Sequence, residues 1–131
     1  MDRSGLERIV RDVVDSAPDE VSAVYLFGSR ARDDASPESD VDLGVLLRGP
    51  APPRLRGVAR DLEAAAERAT KLPVEAVVMN TAPADLVHRI LRDGVLLLDR
   101  DRPARLRFEV QSRNEYFDLA PLRRLYRRLP A

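Results

Sequence analysis

The sequence predicts one domain of the α/β or α+β class, and three observations carry that expectation. Helix-like and strand-like segments alternate along the chain, which is the pattern of a sheet covered by helices. The 131 residues suit one domain of ordinary size, and 44% of them are hydrophobic, enough to bury a core. Proline or glycine punctuates most of the changes of pattern.

Leu6, Ile9, Val10, Val13 and Val14 fall on one face of a first helix, and Pro18 marks its exit. Residues 21–27 are rich in β-branched and aromatic side chains and stop abruptly at Gly28-Ser29, so they read as a strand. Residues 30–35 have the pattern of the first turns of a helix, before Ser36-Pro37 opens a loop. Val41, Leu43, Val45 and Leu47 then alternate with their neighbours in a second strand.

A proline-rich loop at Pro50, Pro52 and Pro53 leads into a helix expected over 54–71, with Leu55, Val58, Ala59, Leu62, Ala65, Ala66 and Ala69 as its buried stripe. Pro73 breaks it, and 74–79 reads as a third strand. Pro83 opens another helix and Gly94 closes it, followed by a short fourth strand at 95–98. The remainder is helical in pattern, with Pro121 expected to divide it into two segments. The whole reads as one domain, 1–131, ending in a basic amphipathic helical segment at about 104–131.

Composition narrows the function classes. No apolar run approaches the length of a membrane span, so no membrane association is expected. The N-terminus opens directly into an amphipathic pattern without the apolar core of a signal peptide, and cysteine is absent; both fit a cytoplasmic setting. Basic and acidic residues balance at 22 each, so nothing draws the chain as a whole to nucleic acid, and no direct nucleic-acid binding is expected. The exception to the balance is 99–131, with nine Arg against five acidic residues, which reads as a solvated helix face or as a surface for an acidic partner or RNA. Arg123, Arg124, Arg127 and Arg128 there are either a solvated helix face or a strip for a partner, with Leu122, Leu125, Tyr126 and Leu129 on the other side.

The chemistry concentrates in Gly28-Ser29-Arg30-Ala31-Arg32 and, after it, Ser39-Asp40-Val41-Asp42-Leu43. Asp40 and Asp42 lie two apart at the head of a strand, so their carboxylates share a face, with α-carbons about 6.5–7 Å apart. Such a pair can converge on one or two hard cations. Gly28 lets the backbone approach a ligand closely, and Ser29 with the free N–H groups of a helix start can hold phosphate oxygens. Arg30 and Arg32 add positive charge beside them. Donors for phosphate next to acids for metal point to a metal-bound nucleotide.

Gly-Ser, ten residues, then Asp-Val-Asp resembles the signature of the nucleotidyltransferase superfamily that includes DNA polymerase β. The fuller strings at 28–32 and 39–43 resemble its smallest members, the MNT (minimal nucleotidyltransferase) antitoxins, which are paired with HEPN-type ribonuclease toxins. The similarity extends to 74–83, to 89–98 and to Asn114-Glu-Tyr-Phe-Asp118, and covers residues from about 21 to about 125. The resemblance implies the nucleotidyltransferase fold, a small mixed sheet with helices packed mainly on one face. It also implies Mg²⁺-dependent transfer of AMP from ATP to a tyrosine of the partner toxin, in a hetero-oligomer with it. Asp40, Asp42 and Glu75 would then be catalytic and hold the metal, and Gly28, Ser29 and Arg30 would bind the nucleotide. The family usually has aspartate where this chain has Glu75, which reaches one methylene further and is expected to complete the metal site or draw the proton from the incoming hydroxyl.

Two other functions fit the same residues. One is an antitoxin that neutralises the toxin by contact alone; the other is an enzyme that modifies a small molecule such as an aminoglycoside, although the chain has little beyond a catalytic core to cradle a drug. His88, the single histidine, has no second histidine or cysteine and is expected to pack or to lie at the surface. Tyr25, Tyr116 and Tyr126 are expected to pack rather than to accept a nucleotide.

Overall fold

The computed structural model describes the backbone of residues 2–32, 36, 39–49 and 55–128, and the side chains among these except at 55–56 and 119–128. The elements follow in the order α1 (Arg3–Asp15), β1 (Val21–Phe27), β2 (Val41–Leu47), α2 (Leu55–Thr70), β3 (Val74–Val78), α3 (Ala84–Asp93), β4 (Val95–Asp99) and α4 (Arg102–Arg128). A short 3₁₀ turn, Met79–Thr81, joins β3 to α3.

Asp2 caps α1, its carboxylate accepting the Gly5 N–H at 2.8 Å, and Leu6, Val10 and Val14 form the buried stripe one helical turn apart. The expected helix at 54–71 is α2, whose described residues begin at 55; residue 54 lies outside them. Strands β1 and β2 coincide with their sequence patterns. Of the segment 30–35, the described part is a single turn in which the Gly28 carbonyl accepts the Ala31 and Arg32 N–H groups; 33–35 lie outside the described residues. Proline 121 does not divide the C-terminal helix, because α4 runs unbroken from Arg102 to Arg128. The expected packing of Leu122, Leu125, Tyr126 and Leu129 falls outside the described side chains.

The four strands form one mixed sheet in the order β3-β2-β1-β4. β1 pairs antiparallel with β2 and with β4, while β2 and β3 run parallel through the α2 crossover. Alternate residues of the sheet face two separate cores. Val24, Leu26, Leu43, Val45 and Leu47 pack with Leu6, Val10 and Val14 of α1 and Leu62 and Ala66 of α2. Ala23, Tyr25 and Leu46 pack on the other side with Met79 and with Val87 and Ile90 of α3, against which Phe108 of α4 closes.

The mixed sheet is as expected, and its covering differs in one detail: the helices divide between the two faces instead of lying mainly on one. The reason is visible in β1 and β2, whose residues are buried on both sides and need cover on both. Gly44 makes the second layer fit. A Cβ there would stand 3.1 Å from both Ile90 Cγ2 and Met79 Sδ, so a bare backbone lets α3 lie close to the sheet.

Candidate active site

One end of the sheet gathers the exit of β1 and the entries of β2, β3 and β4. Phe27 pairs with Asp42, Asp42 with Glu75, and Leu26 with Val95. In-register neighbours project to the same face, so Asp42 and Glu75 stand side by side on adjacent parallel strands about 4.8 Å apart. They share the face that carries Tyr25, Gly44 and α3. Asp40 precedes β2 and lies near enough for its charge to act on Asp42. The three acids singled out from the sequence are thus brought together.

Their electrostatics follow from the crowding. The Asp42 carboxyl has its pKa raised above the ordinary 3.8, first by burial, then by the neighbouring negative charges of Glu75 and Asp40; Arg32 partly offsets this. Asp40 and Glu75 are exposed, so the group has one half-buried acid and two that face solvent.

β1 leaves the sheet through Gly28, whose φ of +75° lies in the left-handed region. Any Cβ at Gly28 would collide with Asp42 Oδ2. The turn after β1 and the acid on β2 therefore occupy one tight space. Ser29 is half-buried on this turn. Arg30 is only 7% exposed, and its Nε and Nη2 both donate to the Ser39 carbonyl, at 3.2 and 2.9 Å. That grip ties the start of the turn to the residue before Asp40. Arg32 is exposed, and its charge lowers the pKa of both Asp42 and Asp93.

Sequence reading missed two residues that hold the site. Glu67 Oε1 accepts the Val74 N–H at 3.1 Å, and Glu63 Oε1 accepts the Ala76 N–H at 2.8 Å. These amides flank Glu75 on the free edge of β3, so α2 caps the edge and holds the strand on either side of the third acid. The signal was present as a Glu pair at i, i+4 on α2, one turn apart on a single helical face.

His88 is half-buried between α3 and α4, stacked on Tyr116 with ring centroids 3.7 Å apart and edge-on to Phe117. Tyr25 is buried, donates to Glu109 Oε1 at 2.6 Å, and has its pKa pushed well up by burial and then by that carboxylate. Both are packing residues, as expected. The side chain of Tyr126 lies outside those described.

Among the described residues, no group of three or more His, Cys, Asp or Glu side chains is drawn tightly enough to make a ready metal cage. The donor set nevertheless suits a hard divalent cation. Mg²⁺ takes oxygen ligands, and it is usually bound by one or two carboxylates together with substrate phosphates rather than by a cage of protein groups. Burial first, and then the repulsion of Glu75 and Asp40, disfavours the charged Asp42 carboxylate, and a bound cation would offset both.

The sequence matches the family model described as polymerase beta, nucleotidyltransferase, over residues 10–103. The chain belongs to this nucleotidyltransferase family. All four strands and the whole acidic site of the nucleotidyltransferase lie inside the matched stretch, whereas α4 begins at its end.

Solved structures share the fold. A chain of a toxin–antitoxin complex with AMP-PNP superposes with a TM-score of 0.76 at 21% identity, over 92% of this chain and 94% of that one. A tri-AMPylated Shewanella oneidensis HEPN toxin in complex with its MNT antitoxin gives a TM-score of 0.72 at 18% identity, over 95% and 94%. A minimal nucleotidyltransferase gives 0.60 at 26% identity, over 72% of this chain and 95% of that one. No curated protein matches the sequence. Among the described residues, no helix is long and apolar enough to cross a membrane.

Proposed function

We propose that this nucleotidyltransferase transfers AMP from ATP to a tyrosine hydroxyl of a HEPN-type ribonuclease toxin and acts as the toxin's antitoxin, in a hetero-oligomer with it. The observation that carries the reading is the meeting of Asp40, Asp42 and Glu75 at one end of the sheet, against the Gly28-Ser29 turn. A shared fold with toxin–antitoxin chains, one with AMP-PNP and one beside an AMPylated toxin, supports the choice of nucleotide and acceptor.

Asp40 and Asp42 are the proposed ligands of Mg²⁺, which when bound neutralises charge on the triphosphate, and Glu75 completes the set or acts as the base. The Gly28 turn lets the triphosphate approach the backbone, and the Ser29 hydroxyl donates to a phosphate oxygen. Arg30 is assigned a positioning part, since its guanidinium grips the Ser39 carbonyl. Arg32, exposed on the same turn, is the cation suited to face the phosphates.

In the step itself the tyrosine oxygen attacks the α-phosphorus and an O–P bond forms. The bond from the α-phosphorus to the bridging oxygen breaks, and pyrophosphate leaves with its electron pair. The hydroxyl proton passes to a carboxylate of the site, and Glu75, which is exposed, is the one assigned to take it. Most of the rate enhancement would come from alignment and from charge stabilisation.

The test is the intact mass of the toxin co-expressed with the wild-type chain and with Asp40→Asn/Asp42→Asn. An adenylate adduct seen with the wild type alone is the expected result. A toxin that is bound and silenced yet unmodified in both samples would replace this reading with that of an antitoxin acting by contact. Transfer of AMP to an aminoglycoside in preference to the toxin would make the acceptor a small molecule.

A further inference from the structure

α4 carries the large exposed apolar side chains found among the described residues: Leu106 at 41%, Val110 at 55% and Phe117 at 58% exposure. Their spacing places them on one side of the helix. The opposite side is spent on this domain, through Phe108 in the second core, Glu109 on Tyr25, and Tyr116 on His88, while Phe117 stands at the border, edge-on to His88 and Tyr116 and still mostly exposed. A shallow groove runs along the outer side between Leu106, Val110 and Asn114, with Arg107 at one end and Glu115 and Asp118 at the other.

The course of α4 relates this side to the acids. The chain enters it at the far end of the sheet, where the Arg100 N–H donates to the Ser22 carbonyl. It then passes Tyr25 at Glu109 and reaches α3 at Tyr116. α3 ends at Asp93, where Arg92 pairs with it at 2.9 Å, and after Gly94 the chain enters β4 at Val95, the partner of Leu26 at the acidic end. α4 therefore runs toward the acidic end, on the sheet face that carries Asp42 and Glu75. Its 27 residues span about 40 Å, against about 23 Å for the seven of β1, so the helix is longer than the strand it follows.

We propose that the outer side of α4, over residues 106–117, is the surface on which the acceptor protein docks, and that the helix guides the acceptor hydroxyl to the acidic end of the sheet. This rests on the reading of the chain as a protein adenylyltransferase. The occupant is a helix of the toxin that presents apolar side chains to Leu106, Val110 and Phe117, with basic residues opposite Glu115 and Asp118 and an acid opposite Arg107. A protein acceptor is favoured over a second copy by where α4 stands. It begins where the family match ends at residue 103, yet the toxin–antitoxin chains span at least 92% of this chain, which leaves too few unmatched residues to omit a helix of 27. α4 thus lies beyond the matched catalytic domain and is shared with chains of toxin–antitoxin structures.

The experiment compares the wild type with Leu106→Glu/Val110→Glu and, separately, Phe117→Glu. Three readings are taken: binding of ATP with Mg²⁺ to the chain alone, assembly with the HEPN toxin by light scattering, and AMP transfer at increasing toxin concentration. The expected result is unchanged ATP binding, at least about tenfold weaker assembly (a loss of about 1.4 kcal/mol), and transfer that recovers at high toxin concentration. Unchanged ATP binding also shows that each variant is folded. Variants that hold the toxin as tightly as the wild type would overturn the proposal. So would a wild-type chain that is dimeric alone and is split by the substitutions while toxin binding survives, since the occupant would then be a second copy. If the wild type transfers no AMP, the enzymatic reading fails, and assembly with the toxin still decides whether α4 is the docking surface.

Discussion

Gly28 and Asp42 occupy the same small volume: the space where a side chain at Gly28 would stand is filled by the Asp42 carboxylate. With φ at +75°, Gly28 also holds a backbone conformation that side chains disfavour. Gly28→Ala is expected to lower stability by about 1–2 kcal/mol from the left-handed backbone alone. Because the new methyl must displace Asp42, transfer should fall further, on the order of 100-fold for a shift near 1 Å. Thermal melts and initial transfer rates measured together separate the two effects; a variant as active as the wild type would show that the turn and the acid are not coupled.

Asp42 gives the site a pH signature. Its pKa is raised in the folded chain, so the contribution of this group to stability is fully present below the unfolded value and is lost as pH rises through the raised value. At neutral pH the ionised carboxylate is held beside Glu75 and Asp40 at a cost. Asp42→Asn, in metal-free buffer, should therefore melt higher than the wild type at about pH 7 and equal to it at about pH 3. Equal melting at both would mean that neither burial nor the neighbouring acids disfavour the charged Asp42 in solution.

The edge of β3 depends on α2. Glu63→Ala/Glu67→Ala removes the acceptors of the Ala76 and Val74 N–H groups and should cost about 1–3 kcal/mol in all. Glu63→Gln/Glu67→Gln keeps a carbonyl oxygen in each place and should retain most of the stability. Amide hydrogen exchange at Val74 and Ala76 is the direct reading, with faster exchange in the alanine pair only. Transfer should decline with the loosening of Glu75 between them.

Arg30 and Arg32 are expected to differ although they sit two apart on one turn. Arg30→Ala strands the Ser39 carbonyl and empties a buried site, so the melting temperature should drop, with a loss of about 2 kcal/mol. Arg32→Ala changes an exposed residue and should weaken ATP binding with little change in melting. Calorimetric titration of ATP with Mg²⁺ against both variants, beside their melts, tests the division. Arg30→Ala melting as the wild type while losing ATP would reverse the two assignments.

Much of this was legible in the residues. The stripes of Leu6, Val10 and Val14 in α1 and the alternation in β2 are local patterns, and the elements formed where they predict. The glycine turn and the Asp-x-Asp pair were equally local, because both lie within a short run of residues, although β2 begins at Val41 and Asp40 stands just before it. The reach of the reading failed where the partner is distant. Nothing near Arg30 shows that its guanidinium turns back to the Ser39 carbonyl. Pro121 reads as a helix break, and the structure carries α4 through it.

The sequence by itself determined most of the elements, the turn at Gly28 and the Asp40–Asp42 pair, since each follows from periodicity or from the chemistry of a short segment; Glu75 was reached only through the resemblance to the family. Tertiary structure alone decided that Glu75 stands beside Asp42, that Glu63 and Glu67 clasp the strand between them, and that both faces of the sheet are covered. Those depend on the order and direction in which strands pair. Pairing is settled by burial of the whole core, and no local window of residues contains it.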